Sequence, residues 1–139
     1  MNNFVFSIDF EMGPGIDHFV TQNKPNSLIE RKVLPKVLVL AKKYEIPVTF
    51  AVVGHLFLTS CKGHLNLPQP ETDYYSGDWY QNDPKSCFPK NKAWYAPDLI
   101  VEIKGCGHEI ASHSFSHAPF NYCSKKVAEV EIKESIKAA

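Results

Sequence analysis

Gly107-His108-Glu109-Ile110-Ala111-Ser112-His113-Ser114-Phe115-Ser116-His117 is the stretch from which the rest of the chain is read. Glu109 to Ser112 has the length and flanks of a short buried strand, and it runs out into a turn that carries two histidines. His113 and His117 stand four residues apart, so one helical turn would bring both imidazoles to the same side. Imidazole suits zinc and its divalent neighbours, and histidines at this spacing recur as half of a metal site. Ser112, Ser114 and Ser116 are placed to hold the rings in one tautomer from behind. A chain with six histidines also produces such a pair by chance, so the pair calls for a third ligand.

The candidate lies at the other end of the chain. From Asn3 to Glu11, Phe4, Phe6, Ile8 and Phe10 alternate with Val5, Ser7, Asp9 and Glu11, a period of two that predicts a strand. The same period puts Asp9 and Glu11 on one face. Two carboxylates at the end of an apolar strand are costly unless a cation lies between them or water solvates them. A metal ion and a solvated strand end are the two readings of that pattern.

Together the two stretches resemble the polysaccharide deacetylases, the family of the chitooligosaccharide deacetylases. Ser7-Ile8-Asp9-Phe10-Glu11 is similar to the family's first motif, with Phe10 between the two acids and Glu as the second. His113-Ser114-Phe115-Ser116-His117 matches its second motif, His-[Ser/Thr]-x-x-His, and Gly107 to Ser112 is a typical approach to it. The resemblance implies a distorted, here partial, β/α barrel of parallel strands alternating with helices. It implies Asp9 as catalytic base, with Glu11, His113 and His117 as ligands of a divalent metal, Zn2+ first and Co2+ or Ni2+ as alternatives. The implied substrate is an N-acetylated glycan or polysaccharide.

Composition narrows the class. A chain of 139 residues, 44% of them hydrophobic, is at most one domain and has enough apolar mass for a core. Zero formal net charge gives no reason to expect nucleic acid or an acidic membrane as partner. The first residues enter a strand without a basic segment or a long apolar run, so neither a signal peptide nor a membrane span is expected, and a cytoplasmic location follows. Cys61, Cys87, Cys106 and Cys123 have no Cys-x-x-Cys spacing and read as free thiols.

Along the chain, Met12 to His18 reads as a Gly/Pro-dictated loop, with His18 at the surface. Ser27-Leu28-Ile29-Glu30 offers a capping box for a helix to about Tyr44, whose apolar stripe is Val33, Leu34, Val37, Leu38 and Ala41. Pro35 would delay the regular helix to near Leu34. Val48 to Val53 is a buried strand, and strand–helix–strand with so long a crossover predicts parallel pairing. His55 follows that strand and reads as a packing residue. A long loop over residues 61–93 carries Tyr74, Tyr75, Trp79 and Tyr80. Aromatic faces there suit either sugar stacking, with Trp79 and Tyr80 as substrate contacts, or a cover for the side of the barrel. Pro97 to Lys104 reads as a short helix ended by Gly105 at the C′ position. A last helix, capped by Ser124 and supported by a Glu129–Lys133 pair, runs to Ala138.

The family's barrel takes roughly 200 residues or more. Its later motifs supply an arginine that orients the aspartate, a further aspartate, and a histidine that acts as acid. Here the only arginine is Arg31, and no histidine follows His117. The expectation is therefore the amino-terminal half of one deacetylase-like domain over residues 1–139, a hydrolase of weak or no activity without its carboxy-terminal half. A non-catalytic remnant that binds metal or glycan is the alternative. A complete small doubly wound domain with an unrelated metal site is a third.

Overall fold

The computed structural model describes residues 4–16, 27–64, 66–68 and 83–139. Its frame is a three-stranded parallel sheet of β1 (Ser7–Phe10), β2 (Thr49–Val52) and β3 (Glu109–Ser112), in the order β1-β2-β3. The register aligns Ile8 with Phe50 and Ile110, and Asp9 with Ala51 and Ala111. Paired residues in a parallel ladder share a face, so each row gives the sheet one apolar side and one open side.

The apolar side carries Ile8, Phe10, Phe50, Val52 and Ile110. Two helices cover it: α2 (Ile29–Lys43) through Leu34, Leu38 and Ala41, and α3 (Pro97–Gly105) through Leu99, Ile100 and Ile103. Phe50 and Ile103 are fully buried there, and a buried side chain of that size contributes roughly 1.5–3 kcal/mol. The opposite side bears Ser7, Asp9, Thr49, Ala51, Glu109 and Ala111, all exposed or half-buried. The strand order is sequential, and both crossover helices pack on one face. The observed class is α/β with an open parallel sheet.

Several local expectations are corrected by packing. The Gly/Pro stretch after β1 is a single helical turn, α1 (Met12–Ile16), not a loop; Met12 is fully buried and its φ is +47°. The capping box does not form. The N-cap position falls on Leu28, whose apolar side chain has no acceptor, and the Glu30 carboxylate accepts the backbone N–H of Met12 at 3.2 Å to each oxygen. Pro35 lies inside α2 and does not delay it. The missing bond and ring clash cost about 3 kcal/mol, and burying Leu34, Leu38 and Ala41 outweighs that.

The first strand is shorter than its alternation suggests. Phe4 is 86% exposed and Phe6 is exposed too, so only Ile8 and Phe10 of that apolar row reach the core. Helix α3 ends through Gly107 (φ +81°), not Gly105. The N–H of Gly107 bonds the Lys104 carbonyl at 3.0 Å and that of His108 bonds Ile103 at 3.4 Å, the paired closure that needs a left-handed residue at C′. Helix α4 (Lys125–Ala138) is capped by Ser124 Oγ, which accepts the Val127 N–H at 3.3 Å. Its ion pairs are Lys125–Glu129 at 4.0 Å and Lys137–Glu134 at 3.4 Å, in place of Glu129–Lys133. All four cysteines are free thiols. Among the described residues, no helix is long and apolar enough to cross a membrane.

Candidate functional site

Parallel strands end together, so the residues just past their carboxyl ends gather at one edge. The ladder continues past β1 and β3 through the Val53 N–H to the Phe10 carbonyl at 3.2 Å and the His113 N–H to the Val52 carbonyl at 2.9 Å. Glu11 and His113 therefore leave the two strands that flank β2, both on the open side of the sheet. Carboxyl ends of strands are where sites in parallel α/β folds collect.

His117 arrives differently from the expected helical turn. Residues 113–119 are not helical; Ser114 (φ +59°) and His117 (φ +65°) take left-handed conformations, and these bends fold the loop back until the two rings lie 5.0 Å apart. Glu11 Oε1 is then 3.2 Å from His113 Nε2 and 3.1 Å from His117 Nε2. The hydrogen bonds from His113 and then His117 hold the Glu11 carboxyl down at about 2 against the opposing effect of its partial burial. The bond to Glu11 correspondingly raises the His113 pKa, with the charge of Asp9 adding to the effect.

One carboxylate and two imidazoles form a three-ligand set of the kind that leaves a coordination position open. Two donors each about 2.0–2.1 Å from a tetrahedral ion lie about 3.3 Å apart, so spacings of 3.1 and 3.2 Å fit a single divalent ion. The three side chains are 17–31% exposed, so the group is reachable from solvent. Asp9, two residues before Glu11 on the same face, is exposed on the open side of the sheet.

Three further residues hold this geometry in ways that sequence reasoning misses. Gly15 leaves space for the Glu11 side chain; a Cβ there would stand 2.7 Å from Glu11 Oε2. Glu30 pins Met12 directly behind Glu11, and burial, with the Glu11 charge adding to it, lifts its carboxyl to about 7. Glu131 of α4 is fully buried and accepts the Phe115 N–H at 2.8 Å, the Ser116 N–H at 2.8 Å and the Ser116 hydroxyl at 2.7 Å. Ser116 thus serves this carboxylate, a role other than the one expected of it toward the imidazoles. A signal for Glu131 exists in the sequence: it and Ser135 interrupt with polar groups the row of α4 that begins at Val127.

His55 is fully buried among Trp94, Tyr95 and Phe115. Arg31 is occupied elsewhere: its guanidinium donates to Asp98 at 2.8 and 3.1 Å and to the carbonyls of Lys92 and Tyr95 at 2.7 and 2.8 Å. His18, Trp79 and Tyr80 lie outside the described residues.

A family model described as polysaccharide deacetylase matches residues 5–139. No curated protein and no solved structure matches the chain.

Proposed function

The chain belongs to the polysaccharide deacetylase family, and on that premise we propose that it carries the metal-binding half of a hydrolase that removes N-acetyl groups from a glycan. The observation behind the reading is the convergence of Glu11, His113 and His117, three residues from opposite ends of the sequence, on one point. They would hold a divalent ion, Zn2+ first and Co2+ or Ni2+ as substitutes. When bound, the ion supplies Lewis acidity, polarising an amide carbonyl and lowering the pKa of water.

The chain's own residues supply the rest. Asp9 takes the proton of a water that attacks the acetamide carbonyl, and its place on the open sheet face leaves room for a sugar. Glu11, His113 and His117 would hold the ion at the strand ends, two residues along the same sheet face from Asp9. The amine then leaves with a proton, for which an acid is needed. No histidine follows His117, and Arg31 is committed to Asp98, so weak turnover of these residues alone is part of the proposal. The unpaired outer edges of β1 and β3 among the described residues, with exposed Phe4, Val5, Val33 and Leu40 beside β1, support further strands closing the sheet into a barrel.

Calorimetric titration with Zn2+, paired with acetate release from chitooligosaccharides, tests the reading. Binding at this site is expected to disappear in Glu11→Ala and His117→Ala. Any acetate release is expected to need both metal and Asp9, while Asp9→Asn keeps metal affinity within about threefold. Zn2+ binding indifferent to Glu11 and His117 would overturn the ligand assignment. Turnover indifferent to Asp9 would overturn its role as base.

A further inference from the structure

A second group of metal-ligating side chains lies behind the loop that carries His113 and His117. His55, Cys61, His64 and Asp83 each turn one donor atom inward, all four within 4.8 Å of one another. Cys61 Sγ lies 3.1 and 3.2 Å from the two Asp83 oxygens and 3.7 Å from His55 Nε2. Asp83 Oδ2 is 2.6 Å from His64 Nδ1 and 3.7 Å from His55 Nε2. We propose that these four residues form a structural Zn2+ site, distinct from the group at Glu11.

The donor set carries the assignment. Two nitrogens, one sulfur and one carboxylate oxygen match zinc's borderline softness, and four protein ligands fill a tetrahedral shell, which marks a closed site and not a catalytic one. The side chains of His55 and Asp83 have no solvent exposure and that of His64 has 14%, so water is largely shut out. Cys61 and His64 are spaced as Cys-x-x-His, with Gly63 (φ +99°) giving the tight turn between them.

The surroundings act on the ligands as outer partners of a metal site do. His55 Nδ1 faces the Trp94 carbonyl at 3.0 Å, which leaves Nε2 toward the centre. The Lys85 N–H donates to Asp83 Oδ1 at 3.0 Å. The Tyr95 hydroxyl, 3.0 Å from Cys61 Sγ and itself accepting the Ser86 N–H at 3.2 Å, is placed to donate to a thiolate. On binding, the Cys61 S–H bond breaks, its proton leaves to solvent, and a Zn–S bond forms; the His64 ring proton resides on Nε2 so that Nδ1 offers its lone pair. No electron transfer is involved.

Such a site ties both ends of the segment from Cys61 to Asp83 to the turn after β2. It also bears on the neighbouring loop, because the Phe115 ring packs against His55 (5.9 Å) and His64 (5.1 Å), and the His55 N–H bonds the Phe115 carbonyl at 3.0 Å. Zinc here would stiffen the backbone between His113 and His117 without touching either.

Cobalt loading of the metal-free chain tests the site independently of the proposed activity. Wild-type protein is expected to show a thiolate-to-cobalt charge-transfer band, which Cys61→Ser removes and a His113→Ala/His117→Ala double variant keeps. Alkylation mapped by mass spectrometry, on wild-type protein alone, guards against a variant that fails to fold. Zn2+ is expected to slow labelling of Cys61 at least tenfold while leaving the exposed Cys106 unchanged. Absence of the band in wild type, its survival in Cys61→Ser, or equal labelling of Cys61 with and without Zn2+ would each overturn the proposal.

Discussion

Position 15 has no side chain, and the Glu11 carboxylate occupies the space one would fill: a Cβ on Gly15 would lie 2.7 Å from Glu11 Oε2. The two residues share the turn of α1, in which the Gly15 N–H bonds the Glu11 carbonyl at 3.2 Å. The helical turn can be tight enough to aim Glu11 at His113 and His117 only because residue 15 is glycine. Gly15→Ala is therefore expected to turn the carboxylate away and weaken Zn2+ binding at that group at least tenfold. The readout is the calorimetric site that His117→Ala also abolishes. Unchanged affinity would show that Glu11 has another way to reach the ion.

Glu131 concerns the loop itself. One buried carboxylate takes two backbone N–H groups and a hydroxyl from Phe115 and Ser116. Removing it leaves buried donors unsatisfied, at about 1–3 kcal/mol each. Glu131→Ala is expected to lower unfolding free energy by about 3 kcal/mol or more in urea titrations. Glu131→Gln keeps one acceptor oxygen and should cost clearly less. Equal losses for the two variants would mean that volume, and not hydrogen bonding, is what Glu131 contributes.

The pH response of the metal-free chain follows from the same contacts. Glu11, held at about 2 against an ordinary 4.5, contributes stability that is full above about 4.5 and is lost as pH falls through about 2. His113, raised above 6.5, contributes stability that is full below 6.5 and is lost as pH rises through its higher folded value. The hydrogen bonds that Glu11 accepts from His113 and His117 are together worth up to about 3 kcal/mol, and the part shared with His113 counts once and is largest between about pH 4.5 and 6.5. Urea midpoints of chelator-treated wild type and Glu11→Gln should differ most in that window and converge toward pH 2 and at alkaline pH. A difference that is flat with pH would contradict the ion-pair account.

Arg31 ties α2 to α3. Asp98 is 42% exposed, so the ion pair itself is weak, whereas the bonds to the Lys92 and Tyr95 carbonyls hold the chain entering α3. Asp98→Asn is expected to cost less than about 1 kcal/mol and Arg31→Met about 1.5–3 kcal/mol, measured by thermal or urea unfolding. The reverse order would place the stabilisation in the ion pair.

Much of this architecture can be read along the chain. Parallel pairing, the helices at α2, α3 and α4, and the convergence of Glu11 with His113 and His117 follow from periodicity, crossover length and family resemblance. These are properties of neighbours in sequence, or of a motif that recurs as a unit. Local rules failed where a distant group competed for the same atoms. Glu30 looks like half of a capping box, yet Met12, eighteen residues away, claims its carboxylate. Gly105 reads as the helix stop on paper, and the backbone bonds of Gly107 and His108 move that stop to Gly107.

What linear order established is which residues could meet: acids on one strand face, imidazoles after another strand, and an α/β frame to bring strand ends together. Tertiary packing alone decided how they meet. The left-handed bends at Ser114 and His117, the space at Gly15 and the buried carboxylate of Glu131 have no local pattern, because each depends on atoms contributed by a different element. The meeting of His55 and Asp83 with the Cys61–His64 pair is of the same kind, since only the fold makes these residues neighbours.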